Sequence, residues 1–348
     1  MNYPLTPQSF FVRELFNPQL GKTGSYYYYT LQKKGVSHKE ASKRIGTNAY
    51  FCGIKDKNAT TTQWFCTKEQ VQELNEEDFV VKFKGFSNQR IHIGLHKGNA
   101  FTVKVELTKE EIESIRHFKA KNEYVCNYFG EQRFSENTIS ICRVLEEKNY
   151  ESALKLFLTK ESKFDSTKSR AMKKVIETNW GNWKKILEHE EIKDTGKVVL
   201  FEYLEKNPTN FEGAFLHAEE KSLKTILKAA QALRFNEKLN ALAKEKKPIN
   251  FKAQISEMDL EMSASKAFTR FIIITPTDFE SKFRKHGLER RTFFTADKFK
   301  YKLTKNSDIK NQKTEYELNF ELARGVYATV FLKYLESWIK SNLKSKKD

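Results

Sequence analysis

The chain of 348 residues is poor in the residues and patterns that build several common functional sites. No stretch approaches the roughly 20 consecutive apolar residues that a membrane-spanning helix needs. The opening residues Met1-Asn2-Tyr3-Pro4-Leu5-Thr6 carry neither a basic nor an apolar region, so no leader peptide is expected. Only four cysteines are present (Cys52, Cys66, Cys126 and Cys142), and none form C-x-x-C. The seven histidines are scattered, and only His92 and His96 fall within four residues, in a strand-like run rather than on a helix face. These absences argue against a metal site, and the cysteines are expected to be reduced, as in a cytoplasmic protein. Neither a G-x-G-x-x-G loop nor a P-loop occurs, which argues against a methyl- or nucleotidyl-transferase built on such a loop. There is no internal repeat and no low-complexity segment.

What the chain does have is positive charge and aromatic rings. Sixty-two Lys and Arg stand against 45 Asp and Glu, a net charge of +17, alongside 28 Phe and 14 Tyr. Lysines track phosphates and aromatic faces stack on bases, so a polyanion, and nucleic acid first, is the indicated partner. The competing explanation is a lysine-rich proteome, because lysine is spread along the whole chain.

The length allows two domains. Residues 10–15, 26–31, 79–83, 90–95 and 101–107 read as strands, with turns at Gly85 and Gly98. Ser37 caps a short helix to Ile45, with Glu40 at the capping-box position. From about residue 108 the periodicity becomes helical, over 136–157, 168–187, 198–204 and 219–245. Strands return at 271–274, 299–303 and 316–320, and a helix over 327–343 closes the chain. This order suggests a sheet domain interrupted by a largely helical insertion.

Two blocks stand out. Gly53-Ile54-Lys55-Asp56-Lys57-Asn58-Ala59-Thr60-Thr61-Thr62-Gln63 is a polar loop between apolar runs, a place where a rigid sheet presents functional groups. The ammonium groups of Lys55 and Lys57 favour a charged Asp56 carboxylate, suited to attack or ion pairing rather than to proton donation. Alone, the loop is equally a hairpin turn. Asn127-Tyr128-Phe129-Gly130-Glu131-Gln132-Arg133-Phe134 places an amide beside aromatic rings, as a base pocket would, or as a packed helix entry would.

Together the blocks resemble the tRNA pseudouridine synthase D (TruD) family. Further segments match it in order: Phe10-x-Val12-x-Glu14, Leu95 to Phe101, Ala232 to Asn236, and Gly325-Val326-Tyr327-Ala328-Thr329. The chain departs at Ser135, where the family usually has Gly, and at Ala232, where Ser is common. It also has no basic residue near Pro4, where the family carries one, which leaves Lys55 as the candidate ion-pair partner of Asp56.

The resemblance implies an α+β fold: a pseudouridine synthase catalytic domain around an antiparallel sheet, over 1–140 and 298–348. A largely helical insertion domain over 141–297 would complete a V-shaped cleft. It implies isomerisation of uridine to pseudouridine in tRNA, at uridine 13, by a monomeric cytoplasmic enzyme that needs no cofactor or metal and grips the D-arm or elbow. Asp56 would be the catalytic carboxylate, attacking ribose C1′ or removing the C2′ proton. Phe129 would stack on the flipped base, Asn127 would hold the base or Asp56, and Phe10 and Glu14 would line the site. A non-catalytic basic RNA-binding protein is the alternative reading.

Overall fold

The structure, a computed structural model, describes residues 1–134, 137–162, 165–193, 195–218, 220–245, 293–305 and 313–344. The chain divides into two compact units, Met1–Asn127 with Phe293–Asp348, and Tyr128–Thr292. The first unit closes on itself because β8 (Val125–Cys126), at the end of its first segment, pairs with β9 (Phe293–Phe294), at the start of its second.

A nine-stranded sheet organises the first unit. Its strands are β1 (Phe10–Leu15), β2 (Tyr26–Lys34), β3 (Tyr50–Phe51), β4 (Thr60–Thr67), β5 (Leu74–Asn75), β6 (Phe79–Ser87), β7 (Gly98–Leu107), β10 (Asp297–Lys305) and β11 (Thr314–Ala323). The order is β10-β11-β7-β1-β4-β2-β6-β5, with β3 beside β4. Every pairing is antiparallel except β1 with β4, which meet in parallel at the centre.

One face of this sheet is covered by helices. Alternate residues of β7 and β11, among them Val103, Val105, Leu318 and Phe320, pack with α2 (Lys109–Arg116) and α11 (Ala328–Lys344). Tyr29, Leu31, Phe65 and Val81 pack with Ala41 and Ile45 of α1 (His38–Ile45). Burying one such apolar side chain stabilises the fold by about 1.5–3 kcal/mol. Between these two apolar clusters run β1, β4 and β2, and there the same face carries Glu14, Thr61, Gln63 and Lys33, all buried. Register puts them together: Val12 and Lys33 both oppose Thr61, and Leu31 opposes Gln63. A row of buried polar residues at the centre of an apolar face is costly unless each finds partners.

The described part of the second unit is helical. It contains α3 (Thr138–Glu146), α4 (Tyr150–Thr159), α5 (Thr167–Thr178), α6 (Trp183–Glu188), α7 (Glu190–Lys193), α8 (Val198–Lys206), α9 (Phe211–Leu216) and α10 (Glu220–Glu245). Leu145, Leu154, Ile176, Trp183, Phe201 and Phe215 are among its core residues. No helix among the described residues is long and apolar enough to cross a membrane.

Several elements differ from the sequence reading. The helical stretch 136–157 is two helices, broken where Lys148 takes a positive φ of 57°. The stretch 168–187 is likewise split, at Gly181. Residues 90–95 form no strand: Gly94 has φ +87° and donates its N–H to Cys52 O at 2.7 Å, so the segment turns back under β3 instead of extending. Gly85 lies inside β6 at a register shift, not in a turn. Gly98 opens β7, where a Cβ would come within 2.2 Å of Leu322 O, so close strand approach rather than turning requires glycine there. Ser37 does cap α1 by accepting from the Glu40 N–H, but the Glu40 carboxylate pairs with Arg44 at 2.8 Å. The full capping box is at Thr108 and Glu111. The strand expected at 271–274 lies outside the described residues.

Candidate active site

Asp56 is exposed, in an irregular loop that enters β4. Its two flanking lysines have different fates. Lys57 is exposed, whereas Lys55 turns inward and is buried. There Lys55 Nζ meets Glu14 Oε1 at 2.7 Å, and Glu14 Oε2 accepts the Trp64 N–H at 2.8 Å. Lys55 is therefore the partner of Glu14, and its expected pairing with Asp56 is replaced by a buried ion pair between β1 and the loop. The physical reason is stoichiometric: Glu14 points into the covered face, and a carboxylate buried there needs a cation.

The surroundings of this pair are tight. A Cβ at Gly53 would stand 3.3 Å from both Lys55 Nζ and His96 Cε1. Burial, and then the Lys55 charge, hold the buried His96 imidazole below its ordinary value, favouring the neutral ring. Burial, with the Glu14 charge adding to it, pushes the Cys52 thiol up to about 12, so Cys52 is a packed thiol rather than a nucleophile. Phe10 does not join Glu14. It packs against Phe101, with ring centroids 5.9 Å apart, in the apolar cluster beneath α11.

Lys33, which sequence reasoning passed over, lies directly beneath the loop. It is fully buried, and its ammonium donates to the carbonyls of Val36, Asp56 and Lys55 at 2.8, 2.9 and 3.1 Å. A signal was present: Tyr29, Leu31 and Lys33 share the inward parity of β2.

Arg324 ties the later motifs to this unit. Its N–H donates to Lys97 O at 3.1 Å and its guanidinium to Gly94 O, joining the Leu95–Phe101 and Gly325–Thr329 segments. On the opposite face of the sheet a cavity of about 360 Å³ is lined by Phe11, Arg13, Thr62, Lys298, Lys300 and Asn319, among others. Lys298 pairs with Glu321 at 3.1 Å, while Arg13 and Lys300 have no ion pair among the described residues.

Asn127, the last residue of the first unit's leading segment, is buried. In the second unit, Phe129 is only 7% exposed. Its backbone is clamped by one side chain from α10: Asn236 Oδ1 accepts the Phe129 N–H at 2.8 Å, and Asn236 Nδ2 donates to Phe129 O at 3.0 Å. The ring stands edge-on to Phe235, centroids 5.5 Å apart at 86°, and Arg133 lies 5.7 Å from its centroid. The sequence blocks around 129 and 235 thus form one structure, held by a reciprocal amide–backbone pair that a strand would otherwise supply.

Comparison with known proteins decides the family. The family model described as tRNA pseudouridine synthase D (TruD) matches residues 5–257. The chain belongs to the TruD family. A relative named probable tRNA pseudouridine synthase D 1, from Methanococcus maripaludis, is 25% identical over 96% of this chain and 98% of its own length. The tRNA pseudouridine synthase D of Aquifex aeolicus is 31% identical over 52% of this chain and 51% of its own. The solved structure of a TruD candidate from Methanosarcina mazei superimposes with a TM-score of 0.65 at 18% identity, covering 95% of this chain and 91% of the other. The fold is accordingly the α+β pseudouridine synthase fold, with its antiparallel-dominated sheet and accompanying helices. In this TruD chain the ion pair, the pinned loop and the Phe129 clamp all fall within the matched region.

Proposed function

We propose that this chain isomerises uridine to pseudouridine in tRNA, with uridine 13 as its target and Asp56 as its catalytic carboxylate. Family membership with the Asp56 block intact is the observation that carries the reading. In the reaction the C1′–N1 bond breaks, the uracil turns, a C1′–C5 bond forms, the C5 proton leaves and N1 takes up a proton. No oxidant or reductant enters this balance. Asp56 serves either as nucleophile at C1′ or as base at C2′. Exposure of the Asp56 side chain on a loop anchored from below suits both roles, because the carboxylate is accessible while its backbone is held.

The first unit with its sheet is the catalytic domain in this reading, and the second, helical unit is the insertion domain. Asn127 holds the base or Asp56, and Phe129 supplies the ring against which the flipped base stacks. Glu14 and Lys55 act from behind the loop, as a buried pair that sets its floor. Arg13 and Lys300 are cations available to the D-arm phosphates.

Phe129→Ala is expected to reduce kcat/KM by the equivalent of about 1–3 kcal/mol, the worth of one base–aromatic stack. Because the ring is packed on Phe235, the same change also removes buried surface, and about 3–5 kcal/mol of folding stability is expected to go with it. Urea titration alongside kinetics separates the two. Unchanged kcat/KM with lost stability would make Phe129 a core residue alone.

The deciding experiment incubates the protein with unmodified tRNA bearing uridine 13 and maps pseudouridine by carbodiimide chemistry. A new signal at that position is expected. Salt-sensitive tRNA binding with no pseudouridine in any tRNA would replace the enzyme by an RNA-binding protein.

A further inference from the structure

The Asp56 loop has no ladder to hold it, since residues 53–58 belong to no strand or helix. Its anchor is Lys33. An ammonium has three protons, and here all three go to backbone carbonyls: one to Val36, at the turn leading into α1, and two to the loop itself, at Lys55 and Asp56. A neutral side chain could bridge carbonyls without the cost of burying a charge. The three carbonyl oxygens solvate the buried cation, and among charged groups Asp56 is the one that favours its charged form. Lys55 cannot serve as this anchor, because Glu14 neutralises it at 2.7 Å.

We infer that Lys33 is the positioning residue of the Asp56 loop: its buried ammonium pins the backbone carbonyls of Lys55 and Asp56 and so fixes the loop from which the Asp56 carboxylate projects. The inference rests on the reading of Asp56 as the catalytic group. Asp56 and Lys55 from the loop and His38 from α1 are the titratable groups that face Lys33. Burial pushes the Lys33 ammonium down to about 8; Asp56 opposes the shift and Lys55 adds to it. His38, half-buried, is held below its ordinary value by that burial and then by the charges of Lys33 and Lys55, so it is neutral at pH 7 and above and does not titrate in the same window.

The sign of the pH effect follows. As pH rises through about 8 the native Lys33 loses a proton and one carbonyl loses its donor, so the isomerisation rate falls. Between about 8 and the ordinary lysine value of 10.5, the unfolded chain holds a proton that the native chain has lost. Lys33 therefore adds to stability as pH rises through that window. Activity and the Lys33 contribution to stability move in opposite directions, which a merely structural lysine would not produce.

The test is single-turnover kinetics on unmodified tRNA from pH 6.5 to 9, for wild type, Lys33→Met and Asp56→Asn. Wild type is expected to show an alkaline limb centred near pH 8. Lys33→Met is expected to lose about 100-fold in rate, the scale of a small misplacement of a reacting group, with tRNA Kd within about threefold of wild type and no alkaline limb. A Lys33→Met rate within twofold of wild type, or an undiminished limb in that variant, would overturn the inference. So would a loss in rate matched by an equal loss in tRNA affinity. If Lys33→Met does not fold, a wild-type rate that is flat through pH 9 overturns it equally. Normal turnover by Asp56→Asn would instead remove the reading of Asp56 on which the inference stands, so the two failures are told apart.

Discussion

Asp56→Asn is expected to abolish pseudouridine formation, by about 10⁴-fold or more in single-turnover rate, while tRNA Kd stays within about threefold. The large loss follows because an amide neither attacks C1′ nor takes the C2′ proton. The small change in binding follows because Asp56 is one exposed side chain on a chain of net charge +17, and removing a negative charge does not weaken attraction to phosphate. The loop should keep its shape in this variant. Its anchor points are the backbone carbonyls of Lys55 and Asp56, which the substitution leaves in place. Single-turnover kinetics and filter binding on one preparation give both numbers. Near-normal turnover would mean that another group performs the chemistry.

The second large effect is on stability. Removing one partner of the Glu14–Lys55 pair, as Lys55→Met or Glu14→Gln, is expected to cost about 3–5 kcal/mol, because each leaves an uncompensated charge in the covered face of the sheet. Glu14→Gln combined with Lys55→Met removes both charges, and the double variant is expected to recover much of that loss. The Trp64 N–H still finds an acceptor in a glutamine carbonyl. Urea denaturation of the four proteins forms the cycle. Single variants within about 1 kcal/mol of wild type would show that the pair contributes little, and additive losses would show that the two residues do not act as a unit.

Both effects sit on a fold much of which could be read from the chain. A strand-like apolar run marked 10–15, alternation of apolar residues marked the strands at 101–107 and 316–320, and the 3.6-residue period marked the helices at 198–204, 219–245 and 327–343. Those periods are local consequences of backbone geometry and need no partner to be seen. Breaks such as Lys148 and the turn at Gly94 were not legible, because a positive φ is chosen by what packs around it. The motif around Asp56 was conspicuous for the same local reason: its residues are contiguous.

Contiguity did not disclose who pairs with whom. Lys55 is next to Asp56 in the chain, yet its ammonium lies on Glu14, which belongs to the neighbouring strand. Lys33 looked like one of many lysines, yet strand parity and the antiparallel register to β4 drive it beneath the loop, where it takes three carbonyls. Phe129 looked like an exposed platform, yet it is buried, Asn236, 107 residues away, clamps its backbone and Phe235 meets its ring edge-on. The sequence by itself determined the family, most of the element types and the two motifs around Asp56 and Phe129. Tertiary structure alone decided which charges are neutralised, because a buried charge must be matched in three dimensions, and only the strand order brings the match within reach.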